Sequence, residues 1–158
     1  MIVLHRPAFE ELSFRQEMLA DPETMAYNLP WGGTIPFPPE AWERWYDAWV
    51  VREDGKRFYR YLLDDETGRF VGEVAYHWTG DENPVCLADV LITASCRRRG
   101  FGTQGLEVLC REAKNRGVGV LYDDVAAGNP GLELFLKNGF EETGSADGGQ
   151  SVRVRKKL

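Results

Sequence analysis

The chain has 158 residues, of which 43% are hydrophobic and 28% charged, with a formal net charge of −6 and a sequence pI near 5.0. This length suits one hydrophobic core, so residues 1–158 are read as a single domain. The acidic balance excludes whole-protein affinity for nucleic acid, which needs a basic face. No apolar run reaches membrane-spanning length, and the opening MIVLHRPAF has no signal-peptide core, so no membrane partner is expected. Cys86, Cys96 and Cys110 form no C-x-x-C pair, and only His5 and His77 could assist them. They read as free thiols of a reducing, cytoplasmic compartment, with no metal site.

IVLHRP reads as a first strand, and residues 7–20 as a helix with Phe9, Leu12 and Leu19 on one face. Asp21-Pro22 looks like an N-cap with proline at the first helical position, opening a further turn. Residues 28–38, NLPWGGTIPFP, read as a loop. PEAWERWYDAWV then places Trp42, Trp45, Tyr46, Trp49 and Val50 at helical spacing, a stripe that reads as core packing rather than a substrate wall. KRFYRYLL and RFVGEVAYHW, split by DDETG, predict an antiparallel hairpin, and VCLADVLI a further strand. Residues 102–116 predict a helix burying Leu106, Leu109, Cys110 and Ala113, closed by Gly117. VGVLYDDV is a strand, PGLELFLKN a short helix, and FEET with SVRVRK a closing strand pair. The order β-α-α-β-β-β-α-β-α-β-β predicts an α/β fold with a mixed, mostly antiparallel central sheet and helices on both faces. The RVRKK ending reads as a charged sheet edge that blocks aggregation.

The chemistry concentrates in RRRGFGTQG, residues 97–105. Its G-x-G-x-x-G opens a helix, and the next strand ends in Asp123-Asp124, near the ~20-residue spacing of a dinucleotide-binding unit. Against that reading, TASCRRR separates the apolar strand from the first glycine, and three arginines do not fit a buried parallel strand. The phosphate loop of nucleotide triphosphatases is excluded, because Thr103-Gln104 stands where Lys-Ser/Thr is required. The other reading is a pyrophosphate loop in which backbone N–H groups and a positive helix end meet one anion, with arginines supplying charge.

Arg97-x-x-Gly100-x-Gly102 resembles the R/Q-x-x-G-x-G/A motif of the GNAT superfamily of acyl-CoA N-acyltransferases. Val125-x-x-x-Asn129, the FLKNGF of residues 135–140, and Val71-Gly72-Glu73 extend the resemblance over roughly residues 57–142. It implies a GNAT-like N-acetyltransferase that moves acetyl from acetyl-CoA to a primary amine of a small molecule or peptide. It implies that backbone groups of Ile92 and Ala94 bond the pantetheine arm and that Arg97, Arg98, Arg99, Gly100, Phe101, Gly102 and Thr103 hold the pyrophosphate. Asn129 would bond the cofactor from the far side, or cap the helix that follows. Asp89 stands where many members carry a glutamate base, with Glu73 as the second candidate, and Asp123 and Asp124 read as a solvated strand end or a binder of a cationic acceptor. Phe135, placed by the motif near the cofactor sulfur, replaces the usual tyrosine acid. Either Tyr122, Tyr76 or water then donates the proton, or the thiolate leaves unaided, or the chain is a weak or inactive CoA-binding relative. A homodimer is the family-level expectation.

Overall fold

The computed structural model describes residues 1–158, the side chains of residues 146 and 147 excepted. In chain order its elements are β1 (Ile2–His5), α1 (Leu12–Ala20), α2 (Pro39–Tyr46), β2 (Arg57–Asp64), β3 (Arg69–Trp78), β4 (Cys86–Ile92), α3 (Phe101–Asn115), β5 (Val120–Ala126), α4 (Gly131–Lys137), β6 (Glu141–Ala146) and β7 (Ser151–Lys157). This is the expected order of strands and helices. The strands make one seven-stranded sheet, β1-β2-β3-β4-β5-β7-β6. Five of its six pairings are antiparallel and only β4–β5 is parallel. That arrangement overturns the dinucleotide-binding alternative, which requires a parallel, doubly wound sheet.

Strand alternation sorts side chains to two faces. Phe58, Leu62, Val74, Tyr76, Cys86 and Ala88 pack with Leu106, Leu109, Cys110 and Ala113 of α3 in the main core. Tyr59, Tyr61, Ala75 and Leu91 face the other way and meet α1, α2 and the π-helical turn Asp47–Val51 that extends α2. Trp42, Trp45, Tyr46 and Trp49 cover that second core, so the aromatic stripe is packing, as its spacing suggests. Burial of the thiol in the main core pushes Cys86 up to about 12, and all three cysteines are free.

Local departures have local causes. Residues 9–11 form a 3₁₀ turn ahead of α1, in which Phe9 is exposed while Leu12 and Leu19 are buried. A 3₁₀ turn spaces side chains three per turn and carries Phe9 off the α-helical stripe, where it meets Trp42 and Tyr46 edge-on. Asp21 caps a turn rather than a helix: its carboxylate accepts from Thr24 N and Thr24 Oγ1 at 3.3 and 2.6 Å. The segment Ala26–Trp31 winds as 3₁₀ helix around Pro30 before the glycine turn. β7 is not an edge, because it pairs with β5 on one side and β6 on the other. Its basic residues serve cross-strand partners: Arg153 makes a bidentate pair with Asp124 at 2.8 and 3.0 Å, and Arg155 meets Glu141 at 3.1 Å.

Gly72 in β3 lies opposite Ile92 of β4. A Cβ there would collide with the Leu91 carbonyl oxygen and lie 3.0 Å from Ile92 Cα. Backbone cannot yield as a side-chain end can, so Gly72→Ala is expected to lower stability by at least the ~1–3 kcal/mol of an overpacked core. Urea unfolding measures this, and a variant as stable as wild type contradicts the β3–β4 register.

Candidate functional site

The site begins where β4 and β5 part. They share two registered rungs, Cys86–Leu121 and Leu87–Tyr122, and then no more. Beyond them, Ala88–Ile92 and Asp123–Ala126 diverge. Backbone groups that a closed sheet would pair are left for another partner. The C-terminal end of β4 leads through a 3₁₀ turn, Ala94–Cys96, to the arginine-glycine loop and the start of α3. α4 begins just past the end of β5.

The three glycines of the loop have three different causes. Gly100 has φ 81°, a left-handed conformation that ends the loop and starts α3, with open space around it. Arg98 also has positive φ, 62°. Gly102 does not face an open anion space: a Cβ would press Leu134 Cδ2 of α4 at 3.2 Å, so this glycine lets α4 approach α3. Gly105 lets α3 settle on the sheet, since a Cβ would stand 2.7 Å from the fully buried Leu62. Phe101 is buried and anchors the first turn, with the Arg99 guanidinium 5.1 Å from its ring centre. Thr103 is exposed on the same turn.

The loop arginines divide. Arg97 is a clamp: its Nε donates to Ile92 O at 3.0 Å, and its terminal nitrogens donate to Glu23 O and Thr24 O at 3.4 and 2.8 Å. Expected to bring charge to an anion, its guanidinium instead fastens the end of β4 to the turn after α1. Arg98 and Arg99 are exposed and make no ion pair among the described residues. The backbone N–H of Ala94, expected to be free, is held by the fully buried Thr24 hydroxyl at 3.0 Å. Ile92 O carries the Arg97 contact and retains a second lone pair. Asn129 caps α4, its Oδ1 accepting from Gly131 N at 2.9 Å, while its amide NH₂ has no acceptor among the described residues and is free to donate outward.

Carboxylates gather on the cleft wall. Asp89 is exposed toward the cleft. Loss of surrounding water and the negative charge of Glu73 raise its pKa to about 6, with Arg15 pulling the other way. Asp123 is driven up by burial and by Asp89, so it is no solvated strand end; Asp124, bound by Arg153, is not free to bind an acceptor either. Glu73 is buried, accepts from the Tyr59 hydroxyl, and lies 3.5 Å from Arg15 Nε. Arg15 in turn lies over the rings of Trp45 and Phe37, 4.3 and 4.5 Å from their centres. With both neighbours fixed, Glu73 is a member of a buried pair rather than an available base.

Tyr27 was not singled out by the sequence. Burial, then Asp89, Glu73 and Asp123, hold its hydroxyl well above the usual phenol range, so it stays protonated beside them. No motif signals it, because it reaches the cleft from the irregular segment after α1. The tyrosines named from sequence are engaged in packing. Tyr122 packs against β7, with Arg153 5.9 Å from its ring centre and its oxygen beside Arg155. Tyr76 stacks on Phe58 in the other core. Phe135 is 5% exposed and meets Phe140 edge-on at 5.0 Å, its ring turned into the main core.

A family model described as an acetyltransferase (GNAT) domain matches residues 2–141. No curated protein matches the chain. Among solved structures, an aminoglycoside acetyltransferase in complex with coenzyme A is 20% identical, with TM-score 0.80, covering 99% of this chain and 95% of that one. A ribosomal-protein-alanine N-acetyltransferase from Brucella melitensis is 21% identical, with TM-score 0.76 and 99% of each chain covered. A PaiA N-acetyltransferase from Thermoplasma acidophilum in complex with coenzyme A is 16% identical, with TM-score 0.71, covering 100% and 99%.

Two outcomes follow from this geometry. Phe135→Tyr buries a hydroxyl in an apolar core, and a stability loss of about 1–3 kcal/mol by urea unfolding is expected; an unchanged midpoint means the position opens to the cleft. For Asp89, a folded pKa above the ordinary ~3.9 means that the native state holds its proton more tightly, so its contribution to stability is lost as pH rises toward about 6. Asp89→Asn is therefore expected to raise the melting temperature above that window, with the gain vanishing below it. A pH series of thermal scans checks this, and a loss of stability above the window contradicts the crowding of carboxylates.

Proposed function

The chain belongs to the GNAT acetyltransferase family, and on that premise we propose that it moves an acetyl group from acetyl-CoA to a primary amine that arrives as a cation. The observation that carries the reading is the parting of β4 and β5, with the arginine-glycine loop at its mouth and carboxylates on its wall. The donors left over suit coenzyme A: exposed Arg98 and Arg99, the first N–H groups of α3 and the free amide of Asn129, with Ile92 O as an acceptor through its second lone pair. A helix start with a left-handed entry directs backbone N–H groups at a phosphate. Arg97 and Ala94 support that wall through their own hydrogen bonds.

Arg15 balances Glu73 and Asp123 is held toward its neutral form, so Asp89 is the carboxylate whose charge draws an ammonium group to the acceptor side. A protonated amine has no lone pair for attack. Asp89, raised toward 6, is the group that removes the proton, directly or through one water; an ordinary aspartate would be too weak a base. The freed amine attacks the thioester carbonyl carbon, the C–S bond breaks, and the acetyl group stays on nitrogen. Tyr27, neutral beside the carboxylates, donates a hydrogen bond to the departing sulfur or relays the proton from Asp89. This assigns to Tyr27 the part that Phe135, in the core, cannot take. One structural relative is named an aminoglycoside acetyltransferase, and an amine-bearing acceptor of that kind also suits the carboxylates of this cleft.

Two measurements test the proposal. Coenzyme A and acetyl-CoA should raise the melting temperature, and release of free thiol should follow addition of cationic amines rather than neutral or anionic ones. No shift with either nucleotide contradicts the proposal; a shift without turnover on any amine favours a CoA-binding protein that does not catalyse. In the active case, Asp89→Asn should lower kcat by roughly 10²–10⁴-fold with little change in the acetyl-CoA KM. Wild-type kcat/KM should rise with pH through about 6. A loss under about threefold moves the role to water, since removal of a general base costs far more.

A further inference from the structure

At the opposite end of the sheet lies a second concave feature, an open cavity of about 350 Å³ between the start of β2, the end of β3, the turn after α2 and the C-terminus of α3. The register fixes its remoteness. Arg57 pairs with His77, whereas the glycine loop adjoins the Gly72–Ile92 end of the same strands. In a chain of net charge −6 this cavity is lined by four arginines, Arg52, Arg57, Arg60 and Arg116, and one carboxylate, Glu53.

Two of these arginines have carboxylate partners, and Arg57 and Arg60 have none among the described residues. Arg52 pairs with Asp47 and Arg116 with Glu112, each at 2.9 Å. Arg60 is half-buried, has no carboxylate within 4 Å among the described residues, and spends one nitrogen on Tyr59 O at 2.7 Å. Its guanidinium and that of Arg116 each stand 4.7 Å from the centre of the same ring, Phe58. Burial and the positive charges of Arg116 and Arg6 act against its own charge, while Glu112 and Glu53 offset them only partly. Arg57 lies over Trp49, 5.3 Å from its ring centre. The Tyr76 hydroxyl, on the same wall, has no hydrogen-bond partner among the described residues. Guanidinium stems often do no more than cover apolar surface. Arg60 and Arg116 share one ring beside Arg57 and the Tyr76 hydroxyl, and of these groups only Arg116 has a carboxylate partner among the described residues.

We propose that this cavity is an anion site, separate from the cleft, for a small phosphate-bearing molecule with a flat apolar body. Arg60, Arg116 and the Tyr76 hydroxyl hold the phosphate, because planar forks match its oxygens. Trp49 and Trp78 flank the body, as aromatic side chains do for flat ligands. Relief of the Arg60–Arg116 repulsion favours a dianion over a monoanion.

The test uses the whole chain saturated with coenzyme A, so that the cleft's own anion-binding groups are occupied, and isothermal titration with phenyl phosphate and with inorganic phosphate. One equivalent of phenyl phosphate should bind, with inorganic phosphate weaker. Arg60→Gln should weaken phenyl phosphate by about tenfold or more, the loss of one charge-assisted contact, with coenzyme A affinity unchanged. Arg116→Gln, on the other guanidinium that holds the phosphate and on an exposed side chain, repeats the test should Arg60→Gln fail to fold, and it should weaken binding in the same direction. Absence of binding at millimolar phenyl phosphate overturns the site, as does binding that survives in the folded Arg variant. Equal affinity for the two probes overturns the flat-body part of the proposal.

Discussion

The structure turns on one missing interaction, the hydrogen bonds that β4 and β5 do not make. A parallel pair with two rungs is a weak seam in a sheet whose other pairings run four rungs or more. The strands can part because each is held from its other side, β4 by seven rungs to β3 and β5 by seven to β7. Opening costs little within each half of the sheet, and it leaves unpaired backbone where a ligand can extend the ladder. The glycine loop, the start of α3 and the cap of α4 all meet at that opening.

What holds the opening in shape is polar and mostly side chain to backbone. The Arg97 fork and the Thr24 hydroxyl tie the end of β4 to the turn after α1. On the next strand, Glu73 joins Arg15 and Tyr59 and secures α1 to the sheet. Tyr27 is thereby brought within electrostatic reach of three carboxylates. Buried charge of this kind contributes modestly to stability and more to fixing one arrangement of groups. The cleft's interacting carboxylates thus come from three strands, with Asp89 from β4, Glu73 from β3 and Asp123 from β5, and Tyr27 joins them from the segment after α1.

The regular elements were legible because their periods are strong. The stripe Leu106, Leu109, Cys110, Ala113 and the alternation through β2 and β3 recur at the spacing of a helix and of strands, and the structure buries them accordingly. The glycine loop was legible as a helix entry, and its arginines as charge, but not which arginine is free. That depends on Thr24 and Glu23, more than seventy positions earlier in the chain. Tyr27 and Arg15 were invisible for the same reason, since neither belongs to a pattern and both act through distant partners. β7 was misread as an edge because a basic strand looks solvated until Asp124 and Glu141 are seen opposite it. Phe135 was placed by motif near chemistry, whereas the apolar face of α4 decides where its ring goes.

Hydrogen exchange on the chain with and without coenzyme A tests the central claim most directly, because it reads each backbone amide along the seam. Added protection is expected only at the diverging ends of β4 and β5, the loop at residues 97–103 and the start of α4. Protection centred elsewhere, with these segments unchanged, would contradict the assignment of the cleft.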